Sequence, residues 1–146
     1  MDCIFCEIAA KSSEAEIVFE NDKYIAFLDI NPVNYGHTLV IPKAHYDNFL
    51  TIPSKELEEL TKLTQYLSGA IKRALKADGF NVISNNGTTA GQSVFHFHYH
   101  IIPRYENDFH LRLRTIEYKT SEIKSYAEKI RESVSKYEGI LNGKEN

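Results

Sequence analysis

The segment Gly91-Gln92-Ser93-Val94-Phe95-His96-Phe97-His98-Tyr99-His100-Ile101-Ile102-Pro103 carries three of the chain's six histidines at alternate positions. A β-strand sends successive side chains to opposite faces, so His96, His98 and His100 are expected on one face, with Phe95, Phe97, Tyr99 and Ile101 on the other. The aromatic and aliphatic face suits a core. Three imidazoles do not, because each neutral ring brings one donor and one acceptor that burial leaves in need of partners. Two kinds of chemistry use such a row. Imidazoles two apart on a strand can share a catalytic zinc ion. In the other arrangement the rings divide the work: one attacks phosphorus to give a phosphoramidate intermediate, and its neighbours orient it or stabilise charge. Just upstream, Asn85, Gln92 and Ser93 are interleaved with Gly87 and Gly91. A loop punctuated in this way can turn backbone N–H groups toward an anion. Coupled to the histidines, it favours phosphate chemistry.

A second cluster of chemically able residues stands at the N-terminus, where Cys3 and Cys6 form a C-x-x-C pair. The sequence MDCIFCEIAA has an acid at position 2 and no long apolar core, so it does not read as a secretory signal, and a cytoplasmic protein is expected. In that setting a disulfide is disfavoured, which leaves a metal site, a redox pair or burial. The formal charge of −3 gives no reason to expect nucleic acid or an anionic membrane surface as partner. No apolar run approaches the roughly 20 residues that span a bilayer.

These residues need a scaffold, and 146 residues suit one domain with no repeat or linker, spanning 1–146. Residues 15–21 and 23–30 read as two strands about an Asn21-Asp22 turn, and residues 37–43 as a third. Leu57, Leu60, Leu63, Leu67, Ala70, Ile71, Ala74 and Leu75 trace one face of a long helix, with Ser54 as N-cap and Gly79 as stop. Residues 80–85 read as a fourth strand and 93–103 as a fifth ended by Pro103. Beyond it lie a candidate strand in His110–Arg114 and a helix over 120–137 whose apolar face is Ile123, Tyr126, Ile130, Val134 and Tyr137. The sum is an α+β fold: a five-stranded antiparallel sheet with one long central helix and a C-terminal helix.

The motifs CIFCEI, FLDINPVNYGHTLVIPKAH and GQSVFHFHYHIIPRY, in that order across residues 1–105, resemble those of the histidine triad (HIT) proteins, which bind and hydrolyse nucleotides. Residues 106–146 fall outside the resemblance. The branch it resembles is the phosphoramidase-like one. The resemblance implies that His98 is the nucleophile, attacking the α-phosphorus of an AMP-like purine nucleotide and holding it as a nucleotidyl-histidine until water releases it. It implies that His100 donates to a non-bridging oxygen, that Ser93 helps protonate the leaving group, and that His37 lies beside the triad. Asp29 would meet the ribose hydroxyls and Asn85 the phosphate region, with Phe5, Ile8 and Phe27 around the base; Gln92 and Val94 complete the substrate-binding set. Members with a structural zinc ion hold it by two N-terminal cysteines, a histidine after Ile-Pro-Lys and the first triad histidine, which here are Cys3, Cys6, His45 and His96. A homodimer with a continuous ten-stranded sheet is likewise implied. Asn85 points to nucleoside 5′-phosphoramidates or related AMP conjugates as substrates, since relatives cleaving dinucleoside polyphosphates tend to have glutamine there. The alternatives are that polyphosphate hydrolase, or a nucleotide-binding regulatory protein with vestigial activity.

Overall fold

Residues 2–109 and 112–137 are described by a computed structural model of the chain. They form two compact units, the first ending at Asp108 and the second beginning at Phe109.

The first unit opens with a short helix, α1 (Ile4–Ala9), which the sequence reading did not anticipate. Cys3 caps it: its sulfur accepts the Cys6 N–H at 3.4 Å. Phe5 and Ile8, three apart, share the buried side of the turn. Strands β1 (Ile17–Glu20) and β2 (Tyr24–Leu28) follow as a hairpin. The Asn21 side chain holds its turn by accepting the N–H groups of Lys23 and Tyr24 at 3.0 and 2.8 Å. After β3 (Thr38–Pro42) come the long helix α2 (Ser54–Leu75), β4 (Gly79–Ile83), a single 3-10 turn at Thr88–Ala90, and β5 (Tyr99–Arg104). The sheet order is β1-β2-β3-β5-β4, and every neighbouring pair is antiparallel. Fold class and strand count match expectation.

The sheet is covered on both faces at its centre. Tyr24, Ala26, Val40, Phe97 and Ile101 pack with Leu60 and Leu67 of α2. The alternate residues Ile25, Phe27, Leu39 and Ile41 pack with Phe5 and Ile8 of α1. This is why β2 and β3 read as almost continuous apolar runs.

The boundaries differ in instructive ways. Pro53 precedes α2 as its cap residue and Ser54 is the first helical residue. The helix closes at Lys76, which takes a left-handed φ of 52°, with the Ala77 N–H reaching back to the Lys72 carbonyl at 3.0 Å. Gly79, expected as the stop, opens β4 instead. The fifth strand begins at Tyr99, not at residue 93. Its pairing with β3 runs only over Thr38↔Ile101, Leu39↔His100 and Val40↔Tyr99. Pro42 further along β3 has no N–H to offer, and its carbonyl accepts the His96 ring at 2.7 Å in place of a backbone rung. Nor does Pro103 end the strand: it pairs opposite Phe80 of β4, and its carbonyl turns to Asn34 on the side where β3 has already stopped. A proline there costs no ladder bond.

In the second unit the described helix is α3 (Glu122–Ser135), with no buried residue; Ile123, Tyr126, Ile130 and Val134 are exposed. Residues 112–114 form no strand. His110 and Leu111 of that expected strand lie outside the described residues, as do 138–146. No described helix is long and apolar enough to cross a membrane.

Candidate functional site

The backbone of 94–98 is pinned ahead of β5 by the Phe97 N–H, which donates to the Tyr46 carbonyl at 2.6 Å. Phe97 enters the core on the α2 side. The flanking imidazoles face α1, where the Phe5 ring meets His98 at 5.1 Å and His96 at 6.0 Å between centroids, both edge-on. The expected shared face is present, although only His100 lies within the strand. From it the three rings go to three different partners.

His98 donates from Nδ1 to the carbonyl of His96 at 2.7 Å. Its lone pair is therefore on Nε2. Burial holds its pKa below the usual histidine value, so the ring is neutral near pH 7. His100 belongs to a chain that starts at the backbone: the Val33 N–H donates to His37 Nδ1 at 3.0 Å. His37 is lowered by burial too, so it is neutral and carries its proton on Nε2. That proton is given to His100 Nδ1 at 2.8 Å, leaving His100 with its own proton on Nε2. Burial, reinforced by His98 and His37, pushes His100 down to about 4. The site thus presents one imidazole with a bare Nε2 and the other as a neutral donor, with ring centroids 4.8 Å apart.

Both rings line a cleft of about 360 Å³ together with Phe5, Ile8, Phe27, Asp29, Ser93 and Val94. Asp29 accepts the Asn31 N–H at 2.9 Å through Oδ1, and its Oδ2 lies 3.7 Å from His37 Nε2. Asn85 sits beside Gly91 and is not among the residues that line the cleft. Gln92 is elsewhere. It is 3% exposed and its amide is consumed by protein: Oε1 accepts the Gly87 N–H at 2.9 Å, while Nε2 donates to the carbonyls of Asp47 at 2.6 Å and Val94 at 3.1 Å. The glycine loop also differs from the anion nest expected of it. The N–H groups of Ala90, Gly91 and Gln92 are turned inward onto the carbonyls of Gly87 and Thr88, so the loop is braced by its own backbone.

Cys3, Cys6, His45 and His96 converge at the other end of the histidine segment, and their donor atoms all lie within 4.8 Å of one another. His96 Nδ1 is 3.4 Å from Cys3 Sγ and 3.5 Å from Cys6 Sγ; His45 Nδ1 is 3.3 Å from Cys6 Sγ. Each imidazole is oriented from behind. His96 donates from Nε2 to the Pro42 carbonyl at 2.7 Å, and His45 from Nε2 to the Asp47 carboxylate at 3.1 Å. Both present a bare Nδ1 to the centre, the arrangement a metal-binding histidine requires. Burial takes His96 to about 4, so it is a free base. This cluster can hold a metal ion.

A second group, Asp29, His37 and His100, is similarly close. Metal at His37 Nε2 would force the ring proton onto Nδ1, which already accepts the Val33 N–H. That group is a hydrogen-bonded relay. Asp47 and the Pro42 carbonyl support the cluster without being among the expected site residues; the His-x-Asp spacing at 45–47 is the signal available for the first, and nothing in the sequence marks the second.

Residues 10–107 match the HIT domain, and the chain belongs to that family. It is 49% identical over 106 residues to an uncharacterized HIT-like protein of Methanocaldococcus jannaschii, covering 73% of this chain and 81% of that one. It is 41% identical over 107 residues to adenylylsulfatase HINT3 of Arabidopsis thaliana, covering 73% of this chain and 54% of that protein. Among solved structures, SMU.412c from Streptococcus mutans superposes with a TM-score of 0.84 at 40% identity, covering 91% of this chain and 85% of the other. A Zn-bound histidine triad family protein from Mycobacterium smegmatis gives 0.72 at 35% identity, over 81% and 85%.

Proposed function

We propose that the protein is a phosphoramidase-like nucleotide hydrolase or transferase, cleaving nucleoside 5′-phosphoramidates or related AMP conjugates through a nucleotidyl intermediate on His98. The observation that carries this reading is the His98 Nδ1–H bond to the His96 carbonyl, which aims an unprotonated Nε2 into the cleft. The base packs among Phe5, Ile8 and Phe27, and Asp29 accepts from the ribose hydroxyls. Nε2 attacks the α-phosphorus and the bond to the leaving group breaks. The leaving group takes a proton from solvent, relayed by the Ser93 hydroxyl at the rim of the cleft. His100 Nε2–H donates to a non-bridging oxygen as charge builds there. The phosphorylated ring is cationic and keeps its Nδ1–H on the His96 carbonyl. Water then attacks phosphorus, the N–P bond breaks, and AMP and a proton depart with His98 neutral again. An adenylylsulfatase among the relatives also acts, by its name, on an AMP conjugate.

Cys3, Cys6, His45 and His96 would hold a structural zinc ion. Bonds of about 2.3 Å to sulfur and about 2.05 Å to nitrogen put two donors of a tetrahedral site about 3.5 Å apart. The sulfur–nitrogen separations of 3.3–3.5 Å fit that shape. Two thiolates and two imidazoles leave no open position, so the ion's contribution is to tie the N-terminus to the 45–47 segment. A homodimer built through the edge strand β4 is part of the reading. Phe80 and Val82 of that strand are 42% and 45% exposed in the single chain.

The test is turnover of adenosine 5′-phosphoramidate. His98→Asn is expected to abolish it while AMP still binds by calorimetry, and retained turnover in that variant would remove His98 as nucleophile. The same preparation assayed for zinc separates the metal roles. His96→Ala loses the ion and His98→Asn keeps it.

A further inference from the structure

Gln92 stands in the glycine loop yet turns its back on the cleft, and its amide joins three segments that are otherwise separate. It accepts from Gly87 at the start of the loop, donates to Val94 at the loop's exit, and donates to Asp47 on the segment that carries His45. Gln92 itself is 3% exposed, and a buried amide left without partners is costly, although the three segments it joins lie nearer the surface. Asp47 is bound from two directions. Its carbonyl receives Gln92, and its carboxylate receives the His45 ring. His45 and Asp47 are themselves exposed, on a stretch between β3 and α2 with no helix or strand of its own. That stretch is tied to the rest of the fold by the Tyr46 carbonyl, which accepts the Phe97 N–H, and by the Phe49 N–H on the Asn86 side chain, and a metal ion at His45 would add an anchor at its exposed start.

We propose that Gln92 is a positioning residue through which metal occupancy at Cys3, Cys6, His45 and His96 and nucleotide occupancy of the histidine cleft strengthen one another. The inference rests on the nucleotide reading above and deepens it by naming how the site is regulated. Fixing His45 fixes Asp47; fixing Asp47 holds Gln92, and Gln92 spans Gly87 to Val94, so it sets the loop that presents Ser93 and backs Asn85. The same chain runs in reverse when a nucleotide orders the loop. A shorter link runs beside it, from the His96 carbonyl to His98, but it leaves the loop untouched.

Binding linkage gives the test, because two coupled ligands must change each other's affinity by one common factor. Zinc affinity is measured by competition with a chromophoric chelator, with and without saturating AMP. AMP affinity is measured by calorimetry on zinc-loaded and stripped protein. The wild type is expected to show the same factor both ways, about fivefold or more. Gln92→Met fills the space without donating or accepting and is expected to bring the factor close to one. Gln92→Glu keeps the acceptor for Gly87 and loses both donations, and is expected to do the same. A purely structural Gln92 would weaken both ligands or lower the thermal midpoint while leaving the factor unchanged, and that result overturns the proposal. So does a factor of one in the wild type, which needs no variant to fold. AMP binding with no zinc binding sinks this inference and spares the nucleotide reading; absence of AMP binding under all conditions sinks both.

Discussion

At the scale of the residue, what stands behind each of four imidazoles sets its tautomer: His98 carries its proton on Nδ1, and His96, His45 and His100 carry theirs on Nε2. His98 and His96 donate to backbone carbonyls through opposite nitrogens, His45 to a carboxylate, and His100 accepts from His37. The histidine spacing made the row visible in the sequence. Their individual tautomers were not, because they depend on carbonyls whose positions follow from folding rather than from residue type. Removing the acceptor behind His45 by Asp47→Ala is expected to cost about 10–100-fold in zinc affinity in the chelator competition, the usual effect of losing such a support. The buried rings also set an acid limit on stability. His100 titrates near 4 in the folded chain and His37 below its ordinary value, whereas both return to about 6.5 on unfolding. Between those limits these two rings bind more protons in the unfolded chain, so their contribution to stability is lost as pH drops from about 6.5 toward 4. A thermal midpoint constant across that window would contradict the neutral-histidine arrangement.

At the scale of the element, patterning read α2 well because its stripe repeats for six turns. It nevertheless passed over Thr64 and Ser68, which are buried on that helix with their hydroxyls returned to the carbonyls of Leu60 and Thr64 at 2.8 and 2.7 Å. A stripe defined by apolar residues alone cannot include them. α1 escaped because six residues are too few for periodicity to declare itself. The start of β5 escaped because alternation in 93–98 is real while the pairing that defines a strand is missing. Leu60 is fully buried between α2 and the sheet, and Leu50 is almost fully exposed. Leu60→Ala is expected to destabilise by about 2–5 kcal/mol in urea unfolding, and Leu50→Ala to stay within about 0.5 kcal/mol.

At the scale of the whole molecule, the first unit holds both the histidine cleft and the Cys3, Cys6, His45 and His96 cluster, and the HIT match over 10–107 covers all of it but Cys3 and α1. Composition and charge could bound the class of protein but not its assembly. Edge strands are legible only once order is known, and order β1-β2-β3-β5-β4 leaves β4 without an outer neighbour among the described residues. The proposed dimer through that edge predicts a sedimentation mass of two chains. Val82→Arg, which sets a charge on the exposed edge, is expected to shift the mass to one chain while AMP binding persists.

One missing hydrogen shapes the whole arrangement. Had residue 42 an amide proton, the central ladder would be free to continue, and the stretch before Tyr99 would be drawn into regular pleating. Proline denies it that, and an imidazole steps into the gap. The ring that closes the sheet at this point is the same ring that faces the two sulfurs, so a metal ion held there would be fastened to the end of the sheet through a single side chain.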